Sequence, residues 1–167
     1  MLNPINAEGV IRDGGAVGRF PGEIHEGVAW WVGACLVVVT KAARIAVAHD
    51  GHPTSTSFHE RLCRGAMNAE HYACRVMDLR AADEAALLAA TNDLGSVPGV
   101  MVTTTATEEG ETVRIAVYDA QGCPLAEEAG LAKIRRLIAE DRVPIPVNAD
   151  AKGRVELYPF PPQGVGK

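Results

Sequence analysis

Val100-Met-Val-Thr-Thr-Thr-Ala-Thr-Glu-Glu-Gly-Glu-Thr-Val-Arg-Ile-Ala-Val-Tyr-Asp119 decides the fold. Residues 100–104 are apolar and β-branched and follow Pro98-Gly99, which marks them as a strand. Residues 112–118 alternate polar and apolar side chains, and read as a further strand at a sheet edge. Between the two lie Glu108, Glu109 and Glu111, an acidic, solvated stretch.

Working outward, residues 44–49 (Arg-Ile-Ala-Val-Ala-His) and 73–79 (Ala-Cys-Arg-Val-Met-Asp-Leu) are two more short apolar strands. Helices are expected between them. One spans 23–41, with acids in its first turn and Lys41 and Arg44 near its end, as the helix dipole favours. A second starts at a cap supplied by Thr54, Ser55 or Thr56 and runs to about Tyr72. A third covers 83–90, where helix propensity is high. A fourth covers 127–141, with Leu131, Ile134, Leu137 and Ile138 on one side. Residues 1–22, rich in Gly and Pro, are expected to be loop or a short strand. Helices alternating with apolar strands imply a three-layer α/β/α sandwich around a mixed sheet. The expected division is one domain over 1–142 and a Pro/Gly-rich tail over 143–167, in which 155–158 is a candidate added strand.

The 167 residues suit one domain with a real core. A net charge of −5 and the absence of any basic run argue against a nucleic-acid partner, which demands a basic face. The four cysteines form no Cys-x-x-Cys pair and read as small buried thiols in a reducing compartment. The longest apolar run, residues 28–39, is too short to cross a bilayer and reads as a buried helix. With no secretory segment recognised, a cytoplasmic location without membrane contact is expected.

Four stretches together resemble the first domain of the α-D-phosphohexomutases, the phosphomannomutase and phosphoglucomutase family. They are Ile11-Arg12 within Gly9–Gly14, Ile45-Ala-Val-Ala-His-Asp-Gly-His-Pro-Thr-Ser55, the region around Thr105 after Gly99-Val-Met-Val-Thr103, and Pro124-Leu-Ala-Glu-Glu-Ala-Gly-Leu-Ala-Lys-Ile-Arg135. The resemblance covers roughly residues 9–140 and implies that family's domain I fold. It also implies departures. The position of the phosphate-carrying serine falls on Thr105, and the His-Asn-Pro that follows in the family is replaced by Ala106, Thr107 and Glu108. Both arginines of the family's Gly-Arg-Asp-x-Arg motif are histidines, His49 and His52. Arg114 stands where the family carries a lysine beside the phosphoserine loop. No Asp-Gly-Asp-x-Asp-Arg magnesium run occurs in the sequence. Authentic mutase activity by this chain alone is therefore not expected, and no cofactor or metal is assigned.

The residues suggest three pieces of chemistry, each beside a structural alternative. Arg12 and Arg114 converging on backbone amides and hydroxyls would make an anion site, or they are ordinary surface arginines. Thr103, Thr104, Thr105 and Thr107 present hydroxyls, and Thr105 is a candidate nucleophile with Glu108, Glu109 or Glu111 as base, or the run is a β-branched strand with a solvated turn. His49, Asp50, His52, His59 and Glu60 form the densest ionisable cluster. Their candidate roles are acid–base work at His49 and His52, zinc binding by His49, His52, His59 and Cys63, or capping and hydrogen bonding by loop histidines. The expected ligand contacts are Arg12, Asp50, Thr103, Thr104, Glu108 and Arg114.

Trp30 and Trp31 point about 100° apart on a helix, so one of them is expected to need cover from outside the domain. Two functions follow as expectations. The first is a domain repurposed to act on or bind a small polar or anionic metabolite, as would fit specialised biosynthesis. The second is an accessory protein that forms a homodimer, docks on a partner enzyme, or serves as half of a split phosphohexomutase.

Overall fold

The computed structural model describes residues 6–67, 74–140 and 154–159. A short helix α1 (Ala7–Val10), capped by the Asn6 side chain, leads into β1 (Ile11–Arg12) and β2 (Gly15–Phe20). Helix α2 (Glu26–Thr40) precedes β3 (Arg44–His49), α3 (Pro53–Met67), β4 (Arg75–Ala81) and α4 (Glu84–Asp93). Strands β5 (Gly99–Thr107) and β6 (Gly110–Tyr118) form a hairpin. A π-helical turn (Glu127–Leu131) opens α5 (Ala132–Ala139), and β7 (Arg154–Leu157) is the last described strand.

One mixed sheet orders these strands β1-β2-β6-β5-β3-β4-β7. Strands β5, β3, β4 and β7 run parallel to one another, while β6 is antiparallel to both β5 and β2. The α/β/α sandwich expected from the sequence is the observed fold. Period-2 alternation sorts the strands' side chains onto two faces. Ile45, Val47, Val76, Val100, Val102, Val113 and Ile115 join the large core under α2, α3 and α5. Ala46, Ala48, Met77, Leu79, Met101 and Tyr118 join a smaller core under α4.

Three expectations need correction. The strand at 112–118 is interior rather than an edge, because β2 pairs with it along most of its length. The glycines that give β2 the look of a loop are part of that pairing: a Cβ on Gly15 would lie 1.9 Å from the Ile115 carbonyl oxygen. The 127–141 helix starts as a π turn kinked at Gly130, whose φ of 156° few other residues adopt, and becomes α-helical only from Ala132. Finally, the tryptophans need no outside cover. Trp31 is buried and Trp30 packs against the same core, edge-to-face with its neighbour, because α2 is flanked by both α3 and α5. The exposed large hydrophobics among the described residues are instead Val155 and Leu157. The strand expected at 155–158 is found at 154–157, whereas the end of the second helix beyond Met67 and the rest of the tail lie outside the described residues.

Helix α2 meets α3 through glycines. Gly33 approaches the Leu62 carbonyl and Gly65 the Trp30 carbonyl, so close that a Cβ at either would overlap backbone.

Candidate functional site

The chain leaves β3 to make α3 on one face and leaves β4 to make α4 on the other, so β3 and β5 are neighbours whose following segments diverge. Such a switch point opens a crevice at the strands' carboxyl ends, where sheets of this kind bind ligands. Here Asp50 bridges it. Its backbone N–H donates to the Val102 carbonyl at 3.1 Å, and its carboxylate accepts from the Thr104 N–H at 2.9 Å and the His52 N–H at 3.0 Å. Ser55, fully buried in the first turn of α3, shares a 2.6 Å hydrogen bond with the Thr104 hydroxyl. Burial acts to raise the Asp50 carboxyl, but the Thr104 and His52 amides and the Ser55 hydroxyl outweigh it and hold the pKa below its ordinary value.

His52 stands at the same helix start. Its Nδ1 accepts from the Thr54 N–H at 3.1 Å, its Nε2 lies 3.5 Å from Glu111, and Thr54 donates to the other Glu111 oxygen at 2.6 Å. His49 uses its Nδ1 alike, accepting from the Gly51 N–H at 3.0 Å. A neutral imidazole has one lone pair free to take a proton. In both residues that lone pair already holds a backbone turn together.

His49 and His52 do not share a pocket. His49 turns toward α3, where its ring meets that of His59 edge-on at 4.6 Å. His59 Nε2 is 2.8 Å from Asp78 and 3.8 Å from the Cys63 sulfur, while its Nδ1 is buried without a partner among the described residues. Thiol and carboxylate thus meet the same ring nitrogen, unlike a relay in which an imidazole links the two through opposite nitrogens. Burial, with the charges of Asp78 and Glu60 behind it, pushes the Cys63 thiol up to about 12, so the thiolate nucleophile is not formed near neutrality. Among the described residues no group of three or more His, Cys, Asp or Glu side chains is arranged to hold a metal ion, so the zinc alternative has no geometry behind it. Burial acts to raise Asp78, yet its hydrogen bond and charge interaction with His59 hold its pKa below the ordinary value. Burial and then the proximity of His59 lower that of His49.

These shifts give stability a sign with pH. Carboxylates held low, Asp50 and Asp78, contribute stability that is present above about pH 3.9 and lost as pH falls through their folded values. A histidine held low takes up a proton more readily when unfolded, so the His49 penalty begins as pH falls through about 6.5. Urea midpoints are expected to fall in two stages, below neutrality and again below pH 4, and His49→Gln is expected to shrink the first. A midpoint that stays flat between pH 7.5 and 5, or an unchanged first stage in the variant, would contradict this.

Thr103, Thr105 and Arg114 share the opposite face of the hairpin from Thr104, as their registers Thr103↔Arg114 and Thr105↔Thr112 require. Arg114 donates to the Asp13 carbonyl at 2.6 Å, and Arg12 pairs with the Asp13 carboxylate at 2.7 Å, so both guanidiniums converge on the β1–β2 turn. Arg114 and Thr103 line an open cleft of about 570 Å³ with Asp50, Asp83, Glu84, Met101 and Tyr118. Tyr118 donates to Glu84, and burial together with that carboxylate pushes the phenol up to about 12. Thr105 is exposed on the hairpin arm, and Glu108 lies in its two-residue turn.

Residues 10–143 match the family described as "Phosphoglucomutase/phosphomannomutase, alpha/beta/alpha domain I". The chain belongs to the phosphoglucomutase/phosphomannomutase family. A phosphoglucomutase/phosphomannomutase family protein from Burkholderia thailandensis superposes with a TM-score of 0.71 at 16% identity, over 92% of this chain and 33% of its own. A candidate phosphomannomutase from Thermus thermophilus superposes at 0.65 with 18% identity, over 85% of this chain and 31% of its own. The chain thus spans about a third of the length of these two structures, and at such identities they share its fold. No curated protein matches it. The family's domain I fold therefore positions the Asp50 bridge, the two histidine clusters and the Arg12–Arg114 pair.

Two contributors escape a reading of the sequence. Ser55 reads there only as a helix cap, although it ties α3 to β5. Asp78 reads as part of an apolar strand. A signal for it exists: a carboxylate inside an apolar strand needs a partner, and here it has His59 and the Arg80 N–H, the latter at a register shift where β4 carries one extra residue against β3.

Proposed function

We propose that this phosphohexomutase-like domain binds a small polar or anionic metabolite in the Arg114 cleft and is not itself a phosphoryl-transfer enzyme. The observation that carries the reading is that Arg114 and Thr103 line one open cleft with Asp50, with the Arg114 guanidinium held by the Asp13 carbonyl of the turn that Arg12 also engages. A guanidinium with a neighbouring hydroxyl supplies the forked donors that a phosphate or carboxylate accepts. Thr105 lies on the same face, as an exposed hydroxyl positioned to contact the ligand. The engaged lone pairs of His49 and His52 favour binding over acid–base catalysis. Asp50 and Thr104 support the wall of the cleft through the bridge, and Glu108 lies beyond it in the hairpin turn. Residues 1–142 are proposed as the functional unit. Nothing in the apolar pattern requires a membrane: no described helix is long and apolar enough to cross one.

A thermal-shift panel of hexose phosphates, inorganic phosphate, dicarboxylates and divalent cations tests this. A ligand at a hundred times its dissociation constant adds about 2.7 kcal/mol, a shift of several degrees for a domain of this size. The expected result is a shift with at least one anion class that Arg114→Ala abolishes. A shift that survives in the variant, or none with any anion, would refute the assignment.

The second reading, association with a second copy or a partner enzyme, is favoured by one observation: Val155 and Leu157 of β7 are the exposed large hydrophobics among the described residues.

A further inference from the structure

Three titratable side chains close the turn that joins β3 to α3, each by accepting the backbone N–H two residues on. His49 takes that of Gly51 at 3.0 Å, Asp50 that of His52 at 3.0 Å, and His52 that of Thr54 at 3.1 Å. Gly51 sits at φ 89°, a backbone conformation that favours glycine, so the turn is tight. Asp50 lies at its centre and also holds the Thr104 N–H at 2.9 Å, which makes the turn one wall of the Arg114 cleft. An imidazole whose Nδ1 accepts a hydrogen bond carries its proton on Nε2. The next proton can enter only at Nδ1, the atom already engaged. In His49, protonation and the Gly51 bond therefore exclude each other, because a second N–H would then face the first.

We infer that protonation of His49 opens the Asp50 turn and releases Asp50 from Thr104, so that the cleft wall is firm at neutral pH and loosened in mild acid. The charges around this buried ring set where that happens. From α3, His59 meets it edge-on at 4.6 Å and opposes a charge on it, exposed Glu60 and Arg64 pair with each other at 3.7 Å, and the Cys63 thiol stays uncharged near neutrality. From β4, Asp78 favours the charge and Arg80 opposes it, while Asp50 of the turn itself favours it. From β5, the residue in register with His49 is the apolar Val102. Burial and His59 prevail, so the transition falls below the ordinary histidine value of about 6.5. His52 differs. Its Thr54 bond lies beyond Asp50 and its Nε2 faces Glu111 at 3.5 Å, so a proton there leaves the Gly51 turn closed.

Hydrogen exchange of the whole chain, without ligand, tests this between pH 7 and 5, above the range in which Asp50 takes up a proton. The expected result is a Thr104 amide whose protection factor falls at least about fivefold relative to the β2–β6 amides, as local opening requires. In His49→Asn the side-chain oxygen takes the place of Nδ1 and accepts from Gly51 without titrating, so Thr104 protection should stay level. His52→Asn should keep the wild-type fall. A wild-type protection factor that does not change would overturn the proposal whatever the variants do. So would a fall that persists in His49→Asn or vanishes in His52→Asn. No ligand is present, so the outcome stands apart from anion binding at Arg114, and either assignment can fail without the other.

Discussion

Gly65→Ala is expected to destabilise the domain by at least about 2 kcal/mol, against the ordinary helix preference. In an open helix this exchange stabilises by about 1 kcal/mol. Here the new Cβ would stand 1.9 Å from the Trp30 carbonyl oxygen and within 3 Å of two more atoms of the α2 backbone. A flexible side chain in the way could swing aside, whereas a helix backbone has to move as a body. Overpacking of this kind costs about 1–3 kcal/mol or more, and prising α2 from α3 also loosens the core both helices cover. Gly33→Ala should act alike, since its Cβ would meet the Leu62 carbonyl at 2.3 Å. Gly22→Ala, with nothing within 4 Å, should be close to neutral. Urea unfolding of the three variants is the check, and a stabilised Gly65→Ala would show that the crossing is looser than described.

Phe58→Ala should cost about 3–5 kcal/mol, the range for emptying a fully buried aromatic site. Phe58 is wholly enclosed and packs edge-on against Phe20 at 5.4 Å, which links α3 to the far end of β2. A typical domain has about 5–15 kcal/mol in hand, so the variant would retain a small margin at best. The loss should reach the site, because Phe58 lies one turn after Ser55 and next to His59. Hydrogen exchange at the Thr104 amide, protected by Asp50, should accelerate more than that of the β2–β6 amides. A cost under about 1 kcal/mol, well below that range, or unchanged Thr104 protection, would contradict the role given to this ring.

Much of this architecture is legible in the chain. Residues 44–49 form a strand at the very bounds their apolar run suggests, and Asp83 caps α4 where the helix signal begins. Strand β2 is obscured because its glycines, required for close pairing with β6, have the composition of a loop. The site is legible in membership more than in grouping. Thr103, Thr104 and Thr105 look like one row of hydroxyls, but successive strand residues face opposite ways, which sends Thr104 to Ser55 and leaves Thr103 and Thr105 with Arg114. His49 and His52 look like one cluster because three positions separate them, yet a tight turn between strand and helix aims one at His59 and the other at Glu111. No sequence pattern announces that both tryptophans join one core, since that depends on how α2 is met by α3 and by α5, which returns from a distant part of the chain.

The most direct measurement of anion binding at the arginine pair is an amide chemical-shift titration of the whole chain with inorganic phosphate and with a hexose 6-phosphate. Saturable shifts are predicted at Asp13, Gly14, Thr103, Thr105 and Arg114, with the Arg12 and Arg114 side-chain signals moving in step, and with all of them lost in Arg114→Ala. Titration without saturable change there, or changes centred instead on residues 94–98 at the amino ends of the strands, would contradict it.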